Sequence, residues 1–436
     1  MLRTHYTKDI GPDLDGQKVT IAGWVRTVRE MGSLKFVILA DMHGECQIIA
    51  KKGNVPEEVM ARIDSFGKED VITVDARVKR NEKTARGAEL VPEKITILSK
   101  AASPLPLDFK VKAGIDKRLD WRSLDLRKPE VMAIFKIESV IVHGIENWMS
   151  KNGFVKCFTP CIMGATSEGG ADVFPVIYFM KEAFLRQDPQ LHRQLVIAGG
   201  IDKMYEIGSN WRADPSHTSR HLCEHRGCAV EIGFINDEFD VMKLEETLVA
   251  AGFEAVQKHC KAELDILEKT IDIPKLPFPV LEFPKIYEIL AEMGKHVEYG
   301  DDIDREAELL LGEYVKNKYK HDFFFLNKFP FSKKPFYVMR YEDEPEWARS
   351  TDMIYRGTEL SSGGQREHRY DRLLKQLKEK KMAPESVSWF TDHFKYGVPP
   401  HGGFCIGIER IVMKMLGLDN IKETVLFPRT PERLVP

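Results

Sequence analysis

The run Tyr355-Arg356-Gly357-Thr358-Glu359-Leu360-Ser361-Ser362-Gly363-Gly364-Gln365-Arg366-Glu367-His368 sets an acid, two hydroxyls, a Gly-Gly pair and an arginine close together. Carboxylate and hydroxyl oxygens suit a hard cation that carries phosphate, and a guanidinium fork suits a carboxylate. A segment with both can hold a metal-bound polyphosphate and an acidic substrate side by side. Further on, Pro399-Pro400-His401-Gly402-Gly403 leads into Gly407-Ile408-Glu409-Arg410-Ile411-Val412-Met413, a glycine-rich turn that delivers an arginine at the start of an apolar helix. Taken singly, an acid pair such as Asp352 and Glu359 is most often a solvated loop, and an isolated arginine a surface residue. The surrounding string is what turns them towards chemistry.

Those groups need a scaffold, and the chain is long enough for more than one. With 436 residues, 43% hydrophobic and 10% aromatic, it can build two or three cores. Its 64 basic and 67 acidic residues nearly cancel, which excludes a protein that coats nucleic acid by bulk charge and makes any RNA contact local. Seven cysteines scattered at 46, 157, 161, 223, 228, 260 and 405 fit a reducing compartment. No signal peptide or bilayer-length apolar run is visible, so a soluble cytosolic protein with no membrane role is expected.

Short strands are predicted over Lys18–Val25, Leu34–Leu39, Cys46–Ala50, Asp70–Val78 and Ile95–Leu98. Their number and spacing suit a five-stranded OB barrel, a common oligonucleotide platform. If the sheet is built this way, Phe36 and Gln47 share its open face, one to stack on an unpaired base and one to read its edge; Phe36 reads equally well as a barrel core residue. Ala101-Ala102-Ser103-Pro104-Leu105-Pro106-Leu107 loses periodicity and reads as a linker, and the basic stretch through Arg118, Arg122 and Arg127 as a hinge. From Pro129 to about Ser150, Val131, Ile134, Phe135, Ile137, Ile141 and Ile145 recur at helical spacing, and a strand over Phe154–Phe158 follows. The remainder alternates strands with helices, including Val241–Lys261 and Arg305–Lys316, as an antiparallel α+β domain requires.

Together with Gly153-Phe154 to Thr159-Pro160 and Trp211-Arg212-Ala213-Asp214, the two chemical stretches resemble motifs 1, 2 and 3 of the class II aminoacyl-tRNA synthetases. The resemblance is closest to aspartyl-tRNA synthetases of the archaeal and eukaryotic type and covers essentially the whole chain. It implies an α+β protein with an anticodon-binding OB barrel over 1–100, a linker over 101–128, and a catalytic domain over 129–436 built on an antiparallel sheet flanked by helices. It further implies a homodimer through the motif 1 helix and strand, with ATP, Mg²⁺, L-aspartate and tRNA as ligands, the tRNA being that for Asp, with that for Asn as a second candidate.

Residue by residue, the resemblance makes Arg212 and Arg410 the catalytic cations. ATP falls to Arg212, Asp214, His221, Leu222, Glu224, His225, Glu359 and Arg410. Aspartate falls to Glu168, Asp188, Gln190, Arg193, Ser362 and Arg366, with Arg366 on the side-chain carboxylate and Glu168 and Gln190 on the amino end. Mg²⁺ falls to Asp352, Glu359 and Ser362, and the anticodon to Phe36, Gln47 and Glu89. Several positions leave the aspartyl pattern. Asp188 stands where the family has serine, Ala229 where it has aspartate, Arg193 where it has lysine, and His225 where it has the adenine-stacking phenylalanine. Trp211, Asp214, Arg226, Cys405 and Thr430 also differ, and Arg26 and Ala85 are not the residues associated with strict tRNA discrimination. These departures keep two alternatives in view, an asparaginyl-tRNA synthetase and a diverged relative that binds tRNA with weak aminoacylation. They also leave open whether a carboxylate has simply moved from 229 to 188. A compact His221, Cys223, His225, Cys228 set has zinc-type ligands, but an extended strand turns 228 to the opposite face, so strand residues are the preferred reading. Cys157 and Cys161 flanking Thr159-Pro160 are weaker still as ligands.

Overall fold

The computed structural model describes residues 1–109, 111–164, 173–215 and 218–436. By internal contacts the chain forms two compact units, Met1–Met132 and Ala133–Pro436.

In the first unit, β1 (Lys18–Met31), β2 (Leu34–Asp41), β3 (Gly44–Lys51), β4 (Val71–Arg80) and β5 (Ala88–Ser99) close into a barrel in the order β1-β2-β3-β5-β4. Alternation explains it: Val19 and Ile21, Val37 and Leu39, Ile48 and Ala50, and the Ile72, Val74, Ala76, Val78 row all point into one core. All five anticipated strands are present and longer than their apolar stretches alone suggest, because the ladders continue into polar residues. The helix Glu57–Asp64 between β3 and β4 was not anticipated; it buries Val59 and Ile63, one helical turn apart, in the barrel core, with Met60 packed against it. In the β2–β3 ladder Ile38 faces Gln47 and Phe36 faces Ile49, out of phase with buried Val37, Leu39 and Ile48. Phe36 is therefore an outer-face residue and not part of the core.

The second unit is built on eight strands: β6 (Val155–Lys156), β10 (Lys203–Trp211), β11 (Glu224–Gly233), β12 (Val280–Glu282), β13 (Phe323–Pro330), β14 (Trp347–Tyr355), β15 (Thr358–Arg366) and β16 (His401–Gly407), in the order β12-β13-β14-β15-β16-β11-β10-β6. A small separate sheet holds β7 (Ile162–Met163), β8 (Pro175–Tyr178) and β9 (Lys181–Leu185). The six inner strands are antiparallel, and only the two edges pair in parallel, β12 with β13 and β6 with β10. Along the helix Pro129–Lys151, Ile134, Ile137, Ile141, Ile145 and Met149 recur every three or four residues and enter one core. The helix Glu238–His259 adds Val241, Leu248, Val249 and Phe253 to that core, against Leu360, Phe404 and Ile406 of the sheet. Its N-terminus is capped by Asp237, which accepts from the Phe239 amide at 2.9 Å. The strand expected over Phe154–Phe158 contracts to Val155–Lys156: one further bond, from the Cys157 amide to Tyr205 O at 2.8 Å, ends the pairing, and Thr159 then turns to Glu206. Among the described residues no helix is long and apolar enough to cross a membrane.

Candidate active site

One face of this sheet floors a cavity of about 830 Å³. Strand β15 supplies much of its wall, and a local irregularity decides what it presents. The β14–β15 hairpin turns at Arg356 and Gly357 with φ of 48° and 63°, the left-handed pair of a two-residue turn. Two residues into β15 the register slips, so that Ile354 pairs with Glu359 and Met353 with Ser361 while Leu360 has no partner. Strict alternation would send Glu359 and Ser362 to opposite faces. The bulge buries Leu360, which joins the core while still bordering the cavity, and Ser361, and leaves Glu359 and Ser362 both lining the cavity. Ser361 donates to buried Glu245 beneath the sheet.

Asp352 lies across the ladder from Ser362. It is 8% exposed and does not itself line the cavity. Burial pushes its carboxyl up to about 6; Lys334 opposes that rise and Glu359 adds to it. The Lys334 ammonium stands 3.3–3.4 Å from both Asp352 oxygens, a cation that sequence reasoning did not single out. Two carboxylates and a hydroxyl around a place that wants positive charge fit a hard divalent cation. Among the described residues no three His, Cys, Asp or Glu side chains gather around a metal position. That finding also removes the His-Cys-His-Cys reading: His225 lines the cavity while Cys228 lies in the core on the other side of the strand.

At the far end of β15, Arg366 has a side chain 6% exposed, with Nε 3.0 Å from Glu231 Oε1 and Nη2 bonded to Gln190 Oε1 (3.2 Å) and Gly403 O (2.9 Å). Nη1 has no partner among the described residues, and the residue lines the cavity. Gln190 Nε2 in turn donates to Glu231 Oε2 at 2.9 Å. The glycine at 403 makes this packing feasible, since a Cβ there would sit 2.0 Å from Val230 O and 2.3 Å from Glu231 Oε2. Sequence reasoning missed Glu231, and no local signal marks it: it is 135 residues from the arginine it holds.

Arg193 does not reach the cavity. Its side chain is 1% exposed and grips Asp188 with both ends of the fork, at 2.8 and 2.5 Å, with a further bond to Gln190 Oε1 at 2.8 Å. Asp188 itself lines the cavity. Although burial works against ionisation there, Arg193, Arg366 and Arg212 hold its carboxyl below the usual carboxylate range.

The residues expected to take nucleotide, Arg212, Asp214, His221, Leu222, His225, Glu359 and Arg410, line the same cavity. Arg410, in the first turn of the helix Ile408–Leu416, donates through Nη1 to Glu359 O at 3.0 Å and stands 3.4 Å from its Oε1. Burial, with Arg212 and Arg410 nearby, pushes the His225 imidazole down to about 4, so at neutral pH it offers an uncharged ring. Glu224 does not line the cavity; on β11 it alternates with His225 and Gly227, which do. On the same outer side Arg226 is clamped to Glu409, whose oxygens accept its amide at 3.0 Å and its Nη1 at 2.9 Å. Glu168 lies outside the described residues.

In the barrel unit, Glu89 is 2% exposed, and its carboxylate accepts from Asn81 at 2.7 Å and from Gln47 at 3.4 Å. Arg26 is committed elsewhere: it pairs with Glu69 and donates to Arg127 O at 2.7 Å.

Comparison with known proteins agrees with this architecture. Residues 114–431 match the family described as tRNA synthetases class II (D, K and N), and residues 19–98 match the OB-fold nucleic acid binding domain. A relative named aspartate–tRNA(Asp) ligase, from Thermococcus kodakarensis, is 46% identical over the full length of both chains. Another, named aspartate–tRNA(Asp/Asn) ligase, from Methanopyrus kandleri, is 42% identical, again over the whole of both. Among solved structures, asparaginyl-tRNA synthetase from Pyrococcus horikoshii complexed with asparaginyl-adenylate superposes with a TM-score of 0.93 at 33% identity, covering all of each chain. With an OB barrel, an antiparallel catalytic sheet, and arginines converging with acids on one cavity, the chain belongs to the class II tRNA synthetases (D, K and N).

Proposed function

We propose that this chain is an ATP-dependent ligase that activates L-aspartate as aspartyl-adenylate and transfers the aspartyl group to the 3′ end of a tRNA. The observation that carries the reading is Arg366. A guanidinium that lines the cavity, with Nε and Nη2 bonded and no partner for Nη1 among the described residues, stands at one end of a site whose other end holds Arg212 and Arg410. Arg366 receives the substrate's side-chain carboxylate, and Arg212 holds the α-phosphate and the substrate's α-carboxylate near one another. The α-carboxylate oxygen attacks the α-phosphorus and pyrophosphate leaves; a ribose hydroxyl of the tRNA then attacks the acyl carbon and AMP leaves. Arg410 neutralises the departing phosphates and, with His225, flanks the adenine. Asp352, Glu359 and Ser362 would hold Mg²⁺, which supplies charge neutralisation to the polyphosphate.

On the barrel, Phe36 stacks on an anticodon base while Gln47 and Glu89 read edges. The relatives' names include both tRNA(Asp) and tRNA(Asp/Asn). The Arg26 guanidinium is committed to Glu69 and Ala85 offers only a methyl group, which supports a barrel that takes the asparagine anticodon as well as the aspartate one. The chain acts as a homodimer in the cytosol. The short edge strand β6 and its surroundings support the dimer, with Val155 47% and Phe158 81% exposed.

Asparagine as substrate is the second reading, favoured by the superposition on an asparaginyl enzyme. A guanidinium has donors only, whereas an amide nitrogen needs an acceptor, and this argues for aspartate. Pyrophosphate exchange driven separately by aspartate and asparagine tests the choice, followed by charging of tRNA(Asp) and tRNA(Asn) transcripts and sedimentation for the dimer. Exchange with asparagine alone would overturn the aspartate reading, and exchange with neither would make the chain a tRNA-binding relative.

A further inference from the structure

Lys334 and Asp352 stand in an arrangement that bears on how a metal enters the site. The Lys334 ammonium lies 3.4 and 3.3 Å from the two Asp352 oxygens, and both side chains are nearly buried. Lys334 lines the cavity together with Glu359 and Ser362, whereas Asp352 does not. The lysine therefore stands between this carboxylate and the cavity. Its neighbour Lys333 is engaged elsewhere, with Asp301 at 3.0 Å.

The two partners differ in freedom. Asp352 is locked in the sheet, paired with Leu326 on one side and Ser362 on the other. Lys334 follows the single turn Phe331–Lys333, its amide donating to Phe331 O at 3.1 Å, and its ammonium lies 3.5 Å from the centroid of the Phe329 ring. Its charge rides on a flexible four-carbon stem, so the head can swing while the backbone stays.

A divalent cation and the Lys334 ammonium seek the same two oxygens, and a cation arriving from the cavity meets the lysine first. Building on the reading of Asp352, Glu359 and Ser362 as metal ligands, we propose that Lys334 is a surrogate cation, which neutralises Asp352 itself and yields it only to a metal carried in on a polyphosphate. A bare divalent ion would leave the ammonium beside a double positive charge with no new partner. Glu359 offers no refuge, since Arg410 Nη1 already stands 3.4 Å from its Oε1. Polyphosphate oxygens entering with the metal supply the partner, inside the cavity that Lys334 already lines. Lys334 in this way makes metal affinity depend on nucleotide.

The test uses the full chain without aspartate, so that no reaction runs. Mn²⁺, a hard cation with the same preference for oxygen, is titrated alone by paramagnetic resonance of the free ion, and the preformed Mn²⁺–ATP complex by calorimetry. Lys334→Met keeps the stem and removes the charge. It binds Mn²⁺ alone about tenfold or more tightly than the parent, the scale of one hydrogen bond between charged groups, while Mn²⁺–ATP gains nothing. Lys334→Gln, which keeps a donor for Asp352 and so protects folding, moves Mn²⁺ in the same direction. Adding Asp352→Asn to Lys334→Met abolishes the gain, which assigns it to this carboxylate. Mn²⁺ affinity unchanged or weakened in both single variants would make Lys334 a support for Asp352 and overturn the proposal. A gain that survives Asp352→Asn, or one shared equally by Mn²⁺–ATP, would overturn it as well. If the parent binds Mn²⁺–ATP no better than metal-free ATP, the reading of a metal site has itself failed and the proposal goes with it, a result distinct from the others.

Discussion

Replacing Gly403 with alanine is the sharpest available probe of how the acidic end of the cavity is held. An added Cβ would lie 2.0 Å from Val230 O and 2.3 Å from Glu231 Oε2, where ordinary contacts begin at 3.4 Å. Something must therefore move by more than 1 Å. Backbone cannot yield cheaply, because Gly403 is paired with Glu231 on one side and Gly364 on the other. The carboxylate of Glu231 swings away, and because Val230 O is backbone the ladder between the two strands has to give as well; with both goes the hold on Arg366 Nε. The carbonyl of Gly403, which accepts from Arg366 Nη2 at 2.9 Å, is disturbed by the same shift. A misplacement of this size costs on the order of 100-fold in kcat/KM, while overpacking costs roughly 1–3 kcal/mol of stability, which leaves a folded enzyme to assay. Aspartate and ATP should be titrated separately in pyrophosphate exchange, with thermal unfolding followed in parallel. The aspartate parameter falls about 100-fold and the KM for ATP changes by less than about threefold, since Arg212 and Arg410 stand on other elements. A Gly403→Ala enzyme with parental aspartate kinetics would refute the idea that Glu231 orients Arg366.

Arg366→Lys keeps the charge but loses the fork, and aspartate kcat/KM falls on the order of 100-fold while ATP binding is retained; unchanged kinetics would remove Arg366 from substrate recognition. Glu245, whose carboxyl burial pushes up to about 8, is protonated in the folded chain and ionised in the unfolded one between its ordinary 4.5 and about 8, so folding takes up a proton and stability falls as pH rises through that window. Glu245→Gln removes the penalty: in calorimetry its melting temperature exceeds the parent's at pH 8.5, and the gap shrinks towards pH 5, whereas a pH-independent difference would show that the buried acid is ionised. Phe36→Ala raises the KM for tRNA roughly 5- to 150-fold, the scale of one lost base stack, and leaves aspartate-driven exchange intact; a change in exchange instead would give Phe36 another role.

Much of this was legible in the chain because it is written locally. Alternation of Val19, Ile21, Val37, Leu39 and Ile48 declares the barrel strands, and the isoleucines from 134 to 145 declare the long helix. The string from Glu359 to Arg366 suggests phosphate and carboxylate chemistry, and the structure sets Glu359, Ser362 and Arg366 along one strand on one cavity. What could not be read was long-range or out of phase. The bulge at Leu360 breaks the alternation on which strand reading depends, and nothing in the sequence marks it. Arg193 was assigned to the substrate by position, but its distance from the cavity follows from the packing of the helix Gln190–Ala198 and from a negative partner five residues earlier. Lys334 and Glu231 were invisible because each matters only for a residue far away in the chain. The helix Glu57–Asp64 escaped because one turn of apolar residues carries no periodic signal.

Strand β15 works as a common rail. Glu359 and Ser362 at one end and Arg366 at the other ride on the same few peptide units, tied between β14 and β16. On the proposed reading the phosphates and the side-chain carboxylate are gripped from this one strand, and any factor by which one substrate changes the other's affinity is by linkage returned equally.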